Sequence, residues 1–101
     1  MRSIRRRDPD TDLDLVELKR LWDDQQGICA LTGWPMLLPE TSLGQGPVKP
    51  DTASIDRIDG AVPYRRGNVR WLSYMANLCR AGFADEDVRR FARAVVEGEG
   101  G

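Results

Sequence analysis

The chain contains no histidine, so the side chain that most often works as a general base near neutral pH, and most often ligates metals, is missing altogether. It has only two cysteines, Cys29 and Cys79. These are too few for a disulfide scaffold, and in a reducing compartment both are expected to behave as small core hydrophobes. Uninterrupted apolar runs are only a few residues long, which excludes a membrane-spanning helix, and the arginine-rich start lacks the apolar stretch of a signal peptide. A cytoplasmic location with no membrane partner is therefore expected. Nor is there an excess of basic charge: 15 Lys and Arg stand against 16 Asp and Glu, for a net charge of −1. Net charge alone gives no sign of a polyanionic partner, so its distribution has to be read instead.

What is present suffices for one modest core, with 101 residues, 41% of them apolar, and seven aromatics. Residues 1–11 hold Arg2, Arg5, Arg6 and Arg7 before an Asp-Pro-Asp turn, with little that could pack, and read as a flexible basic arm. From Asp12 or Asp14 to Gln26, the residues Leu15, Leu18, Leu21 and Trp22 fall at helical spacing, with acids near the start and Gly27 placed to end the helix. Ile28 to Leu38 offers two apolar segments about a turn at Thr32-Gly33, a small hairpin or irregular loop, with Trp34 expected in the core. Residues 39–52 include three Pro and two Gly without any period, and read as a loop carrying Lys49. Ala84 to about Glu97 predicts a last helix, with Asp85, Glu86 and Asp87 in its first turn. Its stripe of Val88, Phe91, Ala92 and Val95 is expected to close the core. Residues 98–101 read as a flexible tail, leaving a single domain over 12–97.

Acids, amides, arginines and turn residues concentrate between Ala53 and Arg80. Ala53 to Ile58 alternates like a half-buried strand, Asp59-Gly60 and Arg66-Gly67-Asn68 punctuate a loop, and Val69 to Leu72 reads as a second strand. A short helix capped by Ser73 should follow, with Met75, Leu78 and Cys79 on one side and Asn77 and Arg80 on another. Asp56 and Asn77 are the oxygen-bearing groups that such a unit could bring face to face. Residues 57–80 also carry Arg57, Arg65, Arg66, Arg70 and Arg80 against the single acid Asp59. An arginine run is ordinarily a solvated face, but around a candidate metal site it supplies the forked, permanently charged donors that phosphate oxygens need.

This strand-loop-strand-helix unit resembles the HNH endonucleases of the ββα-metal superfamily. The closer likeness is to small phage and bacterial members that read Ser-x-Asp-Arg-Ile-Asp, a Tyr, Gly-Asn-Val-x-Trp, then an Asn and a basic residue. Here these are Ser54-Ile-Asp56-Arg57-Ile-Asp59, Tyr64, Gly67-Asn68-Val-Arg70-Trp71, and Asn77 with Arg80. Leu21-Trp22 and the run from Gln26 to Gly33 are similar to the start of these proteins. The likeness spans roughly residues 15 to 95.

The resemblance implies an α+β fold in which a ββα-metal hairpin and helix pack against N- and C-terminal helices. It implies a metal-dependent DNA endonuclease or nickase with double-stranded DNA as partner, and phage packaging proteins as a further possible association of such members. Asp56 and Asn77 would be the metal ligands, all oxygen, suited to Mg²⁺ or Mn²⁺. Asn68 would brace the loop. Arg57 stands where the wider family keeps its general-base histidine; a guanidinium cannot take a proton at neutral pH, so Arg57 would hold the scissile phosphate. The base would then be Asp59, with Tyr64 or a hydroxide on the metal as alternatives, and Arg65, Arg66, Arg70 and Arg80 would contact DNA. Loss of Asp56 or Asn77 is expected to spare the fold. Where many relatives hold a structural zinc with four cysteines, this chain has Cys29, Thr32, Ser73 and Ala76, so no structural zinc is expected. Two alternatives stay open: a DNA-binding module of the same shape without catalysis, and a phage assembly interaction domain.

Overall fold

The computed structural model describes residues 12–38 and 48–100. The expected basic arm, the 39–47 part of the expected loop, and Gly101 lie outside the described residues. Helix α1 (Leu15–Gln25) begins at Asp14, whose extended backbone lets its side chain accept the Glu17 N–H at 2.8 Å. It ends where the Gln26 and Gly27 N–H groups turn back to the carbonyls of Asp23 and Trp22, both at 3.1 Å. The left-handed turn thus starts at Gln26 (φ 56°), one residue before the expected glycine. Leu18 is buried and Leu21 and Trp22 half-buried, but Leu15 is 70% exposed. Leu13, ahead of the helix, takes the inward place expected of Leu15.

Strands β1 (Ala53–Arg57) and β2 (Val69–Ser73) pair antiparallel, with Asp56 opposite Arg70 and Ile55 opposite Trp71. A two-stranded hairpin is marginal by itself, and α1 supports its open edge through one side chain. Gln25 accepts the Trp71 N–H and donates to the Trp71 carbonyl, both at 2.9 Å, as a neighbouring strand's peptide would. The Trp71 indole N–H donates to the Leu18 carbonyl at 2.9 Å, and its ring meets that of Trp22 edge-on at 5.3 Å. Cys29, Met36, Ala53, Leu72 and Ala76 form the main core, and Leu13 and Val69 a second cluster.

The expected small hairpin exists as a single antiparallel bridge between Ile28 and Pro35. It directs Cys29 and Met36 inward, whereas Trp34 remains 45% exposed, contrary to its expected core position. After β2, Ser73 caps helix α2 (Tyr74–Arg80) by accepting the Ala76 N–H at 3.3 Å. The buried side of α2 is Ala76 and Arg80; Met75, Leu78 and Cys79 are exposed, so Cys79 is not a core residue. Helix α3 (Asp85–Gly100) continues past the expected end at Glu97. Its backbone approaches only α2 among these elements, and Phe91 and Val95 are 61% and 55% exposed. The apolar stripe of α3 therefore does not close the core, which α1, the hairpin and α2 already enclose.

The architecture is α+β, with three helices and one antiparallel hairpin among the described residues. No helix there is long and apolar enough to cross a membrane.

Candidate functional site

The loop that joins the strands is organised by Asn68. Its Oδ1 accepts the Asp59 N–H at 2.9 Å, and its Nδ2 reaches the carbonyls of Pro63, Val62 and Asp59 at 3.0, 3.1 and 3.2 Å. One amide thus draws four backbone groups of the loop together, its two N–H hydrogens shared among three carbonyls, and so braces the loop. Asp59 serves the same loop. Its Oδ1 accepts the Ala61 N–H at 3.0 Å in a local turn, and Asp59 does not line the neighbouring pocket.

Asp56 lies at the end of β1 and is 4% exposed. A carboxylate cannot be buried alone, and two arginines meet it. Arg70, across the hairpin, donates Nε to Oδ2 at 3.0 Å; Arg80, from the last turn of α2, donates Nη1 to Oδ1 and Oδ2 at 2.8 and 3.0 Å. Asp85, at the start of α3, completes the cluster. It accepts from Arg70 Nη1 and Nη2 at 2.8 and 2.6 Å, and its Oδ1 lies 3.1 Å from Arg80 Nε. The Arg70 fork beside it, against some desolvation, holds the Asp85 carboxyl below the ordinary carboxylate range, and Asp85 in turn raises the Arg70 guanidinium. Two acids and two bases here tie together β1, β2, α2 and α3.

The four arginines expected to contact DNA, and Arg57 expected at the scissile phosphate, are used differently from one another. Arg70 and Arg80 are turned inward, with side chains 15% and 10% exposed. Arg66 bonds the N-terminal side of α1: its N–H donates to Asp12 Oδ1 at 2.8 Å, and its guanidinium lies 3.5 Å from Asp14 and 3.7 Å from Glu17. Glu17, almost buried, is also gripped by Arg20, which keeps its carboxyl below the usual range. Arg65 donates Nη1 to the Tyr64 carbonyl at 2.8 Å. Arg57 has no carboxylate partner among the described residues; its guanidinium sits over the Tyr64 ring, 5.3 Å from the centroid.

Arg57, Tyr64, Asp56 and Asn77 line one pocket of about 160 Å³, with Gly60 and Arg80. Asn77 donates Nδ2 to Ser54 Oγ at 3.0 Å and to the Ile55 carbonyl at 3.2 Å. A carbonyl can only accept, so the amide nitrogen must face β1, and the orientation of Asn77 Oδ1 follows; it accepts no hydrogen bond among the described residues. The expected meeting of Asp56 and Asn77 on one pocket is present.

As a seat for a divalent cation the pocket offers few protein donors: among the described residues, no group of three or more His, Cys, Asp or Glu gathers anywhere. A carboxylate offers roughly four lone-pair sites, and the arginine contacts on Asp56 leave room chiefly at Oδ1. Asp56 Oδ1 with Asn77 Oδ1 is a hard, all-oxygen pair. Its chemistry fits Mg²⁺ or Mn²⁺ completed by water and a substrate phosphate, and does not fit a cation caged by protein alone.

Sequence reading missed Asp85, Glu17 and Gln25. Asp85 looked like an ordinary acid in a helix's first turn, and nothing local distinguishes it from Glu86. Of the four positions where the resemblance would place a structural zinc, Cys29, Ser73 and Ala76 are buried together, whereas Thr32 is exposed. Cys29 Sγ accepts the Ser73 N–H at 3.3 Å, and Ala76 packs in the same cluster. Burial pushes the Cys29 thiol up, but Thr32 and backbone groups of Ser73, Thr32 and Leu31 bonded to it pull it down, and the net shift is downward. Compared with protein-family models, curated proteins and solved structures, the chain matches none of them.

Proposed function

We propose that the chain is a metal-dependent DNA endonuclease or nickase of the HNH, ββα-metal kind, with its phosphodiester site in the Asp56–Arg57–Tyr64–Asn77 pocket. The observation that carries this reading is that two hard oxygen donors and an arginine with no carboxylate partner among the described residues line the same small cavity. Asp56 and Asn77 would hold Mg²⁺ or Mn²⁺, which when bound supplies charge neutralisation at the phosphate and activation of water. Arg57 holds the phosphate: no acid among the described residues pairs with its charge, and stacking over Tyr64 limits its rotamers, so less freedom is lost on binding. Asn68 and Asp59 shape the loop that carries Tyr64. Arg65 and Arg66, on the same loop, would follow the DNA backbone, with Arg66 exchanging its contacts to Asp12, Asp14 and Glu17 for phosphate; Arg70 and Arg80 act on Asp56 from inside. Association with phage packaging proteins rests on the resemblance alone.

A second reading is a DNA-binding module of the same shape without catalysis. It is favoured by the absence of an imidazole and by the two arginines on Asp56. Nicking of supercoiled plasmid in Mg²⁺, Mn²⁺ and EDTA, run beside a mobility-shift titration, separates the two. Metal-dependent nicking supports the enzyme; a shift with no nicking in either metal supports the module.

A further inference from the structure

Arg80 is overcommitted at one end and underused at the other. Its Nη1 carries two hydrogens but faces three acceptors: both oxygens of Asp56 and the Arg57 carbonyl at 2.7 Å. Its Nη2 donates to the Ile58 carbonyl. Its Nε is buried and makes no hydrogen bond, although Asp85 Oδ1 lies only 3.1 Å away. A buried donor without a partner is costly, so the guanidinium has a reason to turn toward Asp85. Two Nη1 hydrogens cannot serve three acceptors fully, and Asp56 Oδ2, the longest of the three at 3.0 Å, is also held by Arg70 Nε, so a small turn toward Asp85 can give up one Asp56 contact while the Arg57 and Ile58 carbonyls stay bonded.

From this arrangement, and resting on the proposed metal-assisted phosphodiester site, the geometry points to Arg80 as a gate on Asp56. In the free protein Arg80 occupies the Asp56 carboxylate. When DNA phosphate enters the Arg57 side of the pocket, the guanidinium shifts its Nε onto Asp85 and frees an Asp56 oxygen for the cation. Asp85 is the acceptor that makes this exchange possible, so Asp85 and Arg80 are positioning residues that touch neither cation nor DNA. The consequence is linkage: DNA and the divalent cation bind together, each raising the affinity of the other by the same factor. A net-neutral cluster of two acids and two arginines gives a cation no electrostatic reason to bind first.

The test measures Mn²⁺ binding by electron paramagnetic resonance, with and without a short duplex carrying phosphorothioate linkages that resist cleavage. Circular dichroism confirms that each variant is folded. Wild-type protein is expected to bind Mn²⁺ at least tenfold more tightly with the duplex than without it. Asp85→Asn, which removes the charge that receives Arg80, should lose most of that gain. Arg80→Gln should bind Mn²⁺ without DNA more tightly than wild type does; Arg80→Lys serves the same comparison if the Gln variant does not fold. Equal Mn²⁺ affinity with and without duplex in wild type would overturn the gate and leave the metal site standing. So would an Asp85→Asn variant that keeps the full gain. No Mn²⁺ binding by wild type with duplex, nor by an ungated Arg80 variant in either state, would overturn the metal site and the gate together.

Discussion

The Arg70 guanidinium meets the Asp85 carboxylate fork to fork, with N–H donors at 2.8 and 2.6 Å. This contact ties the first turn of α3 to the loop end of the hairpin, and it makes stability depend on pH. Asp85 faces Arg70, Arg80 and Arg89, and its carboxyl is held below its ordinary value of 3.8. A depressed carboxyl contributes stability that is present above the unfolded value and lost as pH falls through the folded one. Wild-type protein should therefore lose thermal stability on acidification below about pH 4. Asp85→Asn should be less stable at neutral pH by about 1–3 kcal/mol, and its melting temperature should fall less steeply with acid. Some acid dependence will remain, because Glu17 is depressed in the same direction by Arg20. Melting curves of both proteins between pH 7 and about pH 2 check this; parallel curves would count against the Asp85 assignment.

Asp56 is structural, whatever part it plays in the proposed site. Asp56→Ala would remove the more deeply buried of the two acids that Arg70 and Arg80 share, leaving only Asp85 against two inward guanidiniums, a loss of about 3 kcal/mol. With two arginines bonded to it, removal of Asp56 is expected to weaken the fold instead of sparing it. Asn77→Ala removes two neutral hydrogen bonds from a half-buried residue, for about 1–2 kcal/mol. Urea denaturation should rank Asp56→Ala well below Asn77→Ala. Both should lack metal-dependent nicking, and Asn77→Ala is the cleaner test because it remains folded.

Gln25 offers a prediction free of the site. Gln25→Ala removes its bonds to Trp71 and Ile28 and leaves the Trp71 N–H facing a side chain that cannot accept. A destabilisation of about 2–3 kcal/mol is expected, read as a lower urea midpoint at unchanged slope. A change within about 0.5 kcal/mol would mean that water replaces the amide there.

Much of this fold is legible locally. The β-branched alternation around Ile55, the turn residues at Asp59-Gly60 and Gly67-Asn68, and Ser73 ahead of a helical run place β1, β2 and α2 to within a residue or so. The bracing by Asn68, expected from the family resemblance alone, uses partners within nine positions. What could not be read depends on distance along the chain. Nothing near Arg80 says that it will meet Asp56, 24 positions earlier; an arginine looks alike in sequence whether it faces phosphate or a buried carboxylate. The apolar stripe of α3 misleads for a related reason. Period predicts a face, but whether another element covers that face is a property of the whole packing, and here only α2 approaches it.

Arg57 is where the proposed function is most exposed to test. It has no carboxylate partner among the described residues, stacks over Tyr64 and lines the pocket, so its removal should not unsettle the fold. If it holds the scissile phosphate, Arg57→Ala loses a charge-assisted, forked contact and nicking should slow by roughly 10²-fold, the scale of one removed electrostatic donor. Arg57→Lys keeps the charge without the fork or the flat stacking surface and should fall between the two. Arg57→His discriminates the two functional readings. In an active enzyme that relies on the guanidinium, an imidazole loses the permanent charge and nicking should fall. In a module whose base has been lost, the same change places a group able to take a proton beside Asp56, and nicking should appear or rise. Plasmid-nicking rates for the three variants in Mn²⁺, with mobility shifts to separate binding from chemistry, give the comparison. A wild type that barely cuts, together with a clear gain for Arg57→His, would move the assignment from enzyme to DNA-binding module.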